Sequence, residues 1–115
     1  MKYLFLLYAD EARMPAPGST ELQQQVDAYG RYYDEVSSKG LFQAGDPVQP
    51  SSTATTVRVR NGSTEAQSGP AAPGGDQIIG FYVLDCQDQD EAVTYGAKIP
   101  AAQQGFVEIR PILSF

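Results

Sequence analysis

Two segments of this sequence are apolar on both of their alternating faces, and nothing else in it constrains the fold as tightly. In Lys2–Ala9, residues Tyr3, Phe5 and Leu7 fall on one side of an extended chain, and Leu4, Leu6 and Tyr8 on the other. Ile78–Leu84 reads the same way, with Gly80 inside it. Side chains alternate along a strand, so a strand apolar on both sides must be covered on both sides. These two segments are therefore expected to be central strands. Gly80 predicts a bulge or a close backbone approach.

The remaining elements follow from periodicity and breakers. Met14–Gly18 is a loop, and Ser19 or Thr20 caps the helix after it. Leu22, Val26, Tyr29, Tyr33 and Val36 recur at helical steps and form one stripe, expected as core; Gly40 ends the helix after Lys39. Leu41–Ala44 reads as a short strand stopped by a Gly45-Asp46-Pro47 turn. Thr53–Arg60 alternates as a half-exposed strand, and Asn61-Gly62 turns the chain so that Ser63–Gln67 pairs back. Ser68–Asp76 is a loop by composition and the candidate flap. Asp88 or Asp90 caps a second helix, with Ala92, Val93, Gly96 and Ile99 on its buried side and Pro100 as its stop. Phe106–Leu113 is the last strand, with Val107 and Ile109 on one face and Phe106, Glu108, Arg110 and Ile112 on the other.

The order is β-α-β-β-(β)-α-β, an α+β, ferredoxin-like unit filling residues 1–115 as a single domain. Its helices cover one face of the sheet. The simplest cover for the other is a second copy of the chain, so a homodimer is expected.

Charge and missing residue types exclude several functions. Eight basic residues against fourteen acidic give a formal charge of −6. That balance argues against nucleic acid and against an anionic membrane surface, both of which are held mainly by Lys and Arg. With no histidine and one cysteine, most zinc sites and any histidine-based triad are ruled out, so no metal is expected. No cofactor fingerprint or phosphate loop is present, and none is expected. Cys86 ends an apolar run and reads as a partly buried spectator thiol. The apolar opening is too short for a secretory core, and nothing approaches the ~20 residues of a membrane span. The expectation is a cytoplasmic protein.

Several stretches, in this order and spacing, resemble one family. They are Met1–Tyr8, Ala54–Arg58, Gly69-Pro70, Gly80–Asp85, Asp90–Ala92, Ile99–Ala102 and Val107–Ile112. The ordered set is similar to the YCII-related proteins, in the branch named for a DGPF motif. The resemblance implies a dimeric α+β barrel built from the ferredoxin-like unit. Some relatives carry a His-Asp pair proposed to be catalytic, and the wider group includes a dehydrochlorinase of a chlorinated hydroquinone. Members of the branch often accompany sigma factors of the extracytoplasmic-function type, so the resemblance implies an accessory role in transcriptional regulation. In this chain the motif reads Ser68-Gly69-Pro70-Ala71, and the position of the helical histidine falls near Val26.

Seven residues are candidates for a ligand site: Tyr8, Asp10, Asp46, Ser68, Tyr82, Glu108 and Arg110. Glu108 and Arg110, two apart on a strand, share a face; they form either a solvated ion pair or the charged wall of a pocket, with Arg110 gripping an anion bidentately. Asp10 either starts a loop and caps it or offers a carboxylate at the mouth of the sheet. Asp46 is either a turn former or a site carboxylate. Tyr8 and Tyr82, on central strands, need hydroxyl partners that a pocket would supply. Ser68 begins the flap. Two functions stay open. One is a binding protein for a small anionic ligand; the other is an enzyme of the dehydrochlorinase or isomerase type using carboxylates and tyrosines, with the catalytic residues unassigned.

Overall fold

A computed structural model describes residues 1–115. Its strands and helices run β1 (Lys2–Ala9), α1 (Thr20–Ser38), β2 (Phe42–Pro47), β3 (Thr55–Arg60), β4 (Ser63–Ser68), β5 (Gln77–Asp85), α2 (Gln89–Ala97), α3 (Ala101–Gln104) and β6 (Phe106–Pro111). The main sheet has the order β2-β5-β1-β6, antiparallel throughout, with β1 and β5 at its centre. β3 and β4 form a separate hairpin. The α+β, ferredoxin-like reading holds, with the hairpin inserted between β2 and β5.

Alternation on β1 divides the protein into a closed face and an open one. Tyr3, Phe5, Leu7 and Ala9 are buried beneath the helices, against Tyr32 and Val36 of α1, Ala92 and Tyr95 of α2, and Ala101 of α3. Leu84 on β5, Cys86 just after it and Ile99 after α2 complete this core, and Cys86 is 1% exposed. The opposite face carries Leu4, Leu6 and Tyr8, with Val83 and Phe81 across from Leu4 and Leu6 on β5. These five are only half-buried, and no helix lies over them.

Caps and turns are local. Ser19 accepts from the Leu22 amide and caps α1, and Asp88 accepts from the Glu91 amide and caps α2. Asn61 and Gly62 both have positive φ, the geometry that a two-residue hairpin turn requires.

Three expectations are corrected. Gly45-Asp46-Pro47 is not a turn: β2 runs through it, as the edge strand, where a proline without an N–H is tolerated. Gly45 is needed for proximity, since a Cβ there would come within 2.5 Å of the Tyr82 ring. The α1 stripe is also offset from the core. Tyr32 and Val36 are buried, whereas Val26 and Tyr33 are 55% and 48% exposed. Tyr32 is fixed from inside, its hydroxyl donating to the Tyr95 carbonyl at 3.0 Å. On α2, Val93 points outward and Tyr95 takes the core position. On the hairpin β3 is half-exposed as expected, with Val57 and Val59 on its open side and Thr56 and Arg58 half-buried on the other.

Gly80 meets both halves of its expectation. The β1–β5 register slips between Leu7 and Tyr8, next to Gly80, and the Asp46 carbonyl passes close above it.

Candidate functional site

The offset of α1 leaves a cavity. Between the outer half of α1 and the β2–β5 half of the sheet lies a cleft of about 680 Å³, within the range of small-molecule sites. Leu22, Val26, Tyr29 and Tyr33 form its helical wall. Its sheet wall is Leu7, Ile79 and Tyr82 with Phe42, and Phe42 meets Tyr33 edge-on at 4.9 Å. The loop after β2, Val48–Ser52, and the turn after β1, with Glu11 and Met14, frame the rest.

Polar groups in this apolar space are few. The Glu11 carboxylate accepts from the Ser51 amide at 2.7 Å and from the Ser51 hydroxyl at 2.5 Å, tying the two framing loops together. Those hydrogen bonds, led by the one from the Ser51 side chain, pull the Glu11 acidity below the usual carboxylate range. Gln25 Oε1 and the Tyr29 hydroxyl, one helical turn apart, are sealed from solvent behind this wall, the Tyr29 hydroxyl beside the Ala101 amide. Burial raises the pKa of Tyr29, and the nearby Ala101 amide offsets this only in part. Burial likewise pushes the Tyr82 phenol up to about 12. No lysine or arginine lines the cavity. Nowhere in the protein do three His, Cys, Asp or Glu side chains gather as a metal site would require.

The seven candidate residues do not share one cleft within a protomer. Tyr82 faces the cavity, and Asp46 lies along its β2 wall. The register, however, sets Asp46 opposite Phe81, on the open side of the sheet. Tyr8, Glu108 and Arg110 are on that open side too. Tyr8 stacks on Phe106 at 4.7 Å, Glu108 sits across from Leu6, and Arg110 across from Leu4. Arg110 Nε donates to Glu108 at 2.6 Å. The sheet thus separates Arg110 from the cavity. Asp10 caps the turn Glu11–Arg13, accepting from the Ala12 amide, and it is the next residue, Glu11, that reaches the cavity. Ser68 ends the hairpin beside a smaller polar hollow of about 250 Å³, which Arg58 also lines. The glycine-rich loop after it adjoins that hollow, not the cavity, whose rim is Val48–Ser52.

Sequence reasoning missed Gln25 and Glu11 and assigned Tyr29 to the core. The available signal was the run Gln23-Gln24-Gln25 beside the stripe: a polar residue next to aromatics on a helix face suits a cleft wall better than a packed core.

No helix of the protein is long and apolar enough to cross a membrane. In overall fold the chain is similar to 5-chloro-2-hydroxyhydroquinone dehydrochlorinase from Burkholderia phenoliruptrix, whose structure holds 2,5-dihydroxybenzoquinone. The two superpose with a TM-score of 0.50 at 16% identity, over 98% of this chain and 94% of that one. In sequence it is 32% identical over 117 residues to an uncharacterized protein of Rhizobium meliloti, covering 97% of this chain and 92% of the relative. The family model of the YCII-related domain matches residues 1–115, and the chain belongs to that family.

Proposed function

We propose that this YCII-related protein binds a small molecule in the cavity between α1 and the β2–β5 half of the sheet, and that it does so as a homodimer. The observation that carries the reading is the cleft itself, about 680 Å³ of largely apolar space walled by Leu22, Val26, Phe42, Ile79 and Tyr82, with the fixed carboxylate of Glu11 at its rim. The dimer is supported by the open face, where five half-buried apolar side chains lie uncovered.

Binding is preferred to proton-transfer catalysis because of the direction of the acidity shifts. A general acid or base works best with a pKa near the operating pH. Here the shifted groups at the cavity move away from neutrality, Glu11 downward and Tyr29 and Tyr82 upward. Likeness to the dehydrochlorinase lies in the fold, and its chemistry is not carried over.

The test is a thermal-shift screen of metabolites on the wild-type chain and on Val26→Trp, whose indole would fill the cavity. Hits should stabilise the wild type and lose their effect in the variant. Hits that stabilise both equally would remove the cavity as the site.

A further inference from the structure

We infer that the cavity takes a lipophilic amine, an apolar body of more than one ring that carries a protonated amino group, with Glu11 as the residue that selects for the positive charge. This deepens the binding reading above and rests on it. Three observations argue for it.

The walls set the body of the ligand. A cavity of about 150 Å³ is enough for one benzene ring, and this one is about 680 Å³. Leu22, Val26, Phe42 and Ile79 line it. A single ring would leave most of that surface against water or void, forgoing the apolar burial that drives association.

The lining also sets the sign of the charge. Glu11 and Asp46 are the charged residues around the space, and no lysine or arginine is among its walls. Asp46 stands opposite Phe81 in the register, on the open side of the sheet, which leaves Glu11 as the charge at the cavity. An anion placed there would be desolvated with no counter-charge and with a like charge at the entrance. The Arg110 guanidinium is on the other side of the sheet and already bonded to Glu108.

The third observation is that Glu11 has no cation of its own. No ion pair of the protein includes it, and Arg13, two residues on, pairs with Asp10 at 3.8 Å instead. Glu11 is half-buried, and each of its oxygens accepts one hydrogen bond from Ser51. Those bonds favour the charged form and fix its place at the rim. An ionised carboxylate has about four acceptor sites, so about two stay open. A protonated amine supplies both N–H donors for them and the missing counter-charge.

A matched series of fluorescent probes separates charge from body. Aminomethylanthracene is cationic at neutral pH, anthracenemethanol is the same skeleton without charge, and anthracenecarboxylate is its anion. Benzylamine carries the cationic head on a single ring. Fluorescence titration of the full chain at low salt should give saturable binding of the anthracene amine, at least about threefold tighter than the alcohol and at least about thirtyfold tighter than the carboxylate. Benzylamine should compete at least about a hundredfold more weakly. Glu11→Gln keeps an acceptor for the Ser51 amide and loses the charge, so in this variant the amine should lose its advantage over the alcohol. Salt gives a second measure that needs no variant: about 0.5 M KCl should narrow the gap between amine and carboxylate at least about threefold on the wild type.

Alcohol or carboxylate binding as tight as that of the amine, an amine advantage that persists in Glu11→Gln or at high salt, or competition by benzylamine at the anthracene amine's own concentration would overturn the inference while leaving the cavity as a site. Amine binding that survives Val26→Trp intact, or no saturable binding of any of the three anthracenes, would instead overturn the binding reading itself.

Discussion

The carboxylate of Glu11 holds both the amide and the hydroxyl of Ser51, joining the turn after β1 to the loop after β2 across 40 residues of sequence. That clasp closes one end of the cavity, and it depends on pH. Glu11 is more acidic in the folded protein than in the unfolded chain, so its contribution is fully present above the ordinary glutamate pKa. It is lost as the pH falls through the lower folded value. Glu11→Gln should therefore lower the melting temperature at neutral pH, and the gap to the wild type should shrink as the solution is acidified below about pH 4. Melting curves that stay separated by the same amount at acid pH would show that the carboxylate charge is not what Ser51 holds.

Leu6 lies at the middle of the open face, across from Phe81 on one side and Glu108 on the other. Light scattering behind a sizing column should give twice the 12.4 kDa chain mass for the wild type and 12.4 kDa for Leu6→Glu, with secondary structure retained in both. A wild-type mass of 12.4 kDa at micromolar concentration would sink the dimer. Arg110→Ala should weaken the dimer and leave ligand binding in the cavity unchanged, because the sheet stands between Arg110 and the cavity.

Cys86 should be inert in the native state. Burial, first of all, and the neighbouring carboxylates push its thiol up to about 11, and it is 1% exposed. Iodoacetamide at neutral pH should label it only after denaturation. Rapid labelling of the folded protein would mean that the core around Val36 and Leu84 opens far more readily than its packing suggests.

The doubly apolar patterns of Lys2–Ala9 and Ile78–Leu84, the capping Ser19 and Asp88, the Asn61-Gly62 turn and the bulge near Gly80 all rest on short-range rules: alternation, backbone sterics and local hydrogen bonds. Those rules act within a few residues, so the sequence alone determined the six strands, the two longer helices, their order and the ferredoxin-like class, whereas the short α3 after Pro100 escaped it. What a helix stripe faces is a different matter. Leu22, Val26, Tyr29 and Tyr33 have the spacing of a core, and nothing local says that the sheet beneath them is left unfilled. Only the way α1 seats across β2 and β5 turned that stripe into a cavity wall and made Glu11 rather than Asp10 the rim carboxylate. The parity of β6 is likewise legible, but not which of its faces the helices take. The choice that packed Val107 and Ile109 against the core sent Glu108 and Arg110 to the open side, because one sheet has two faces and this chain's helices can cover only one.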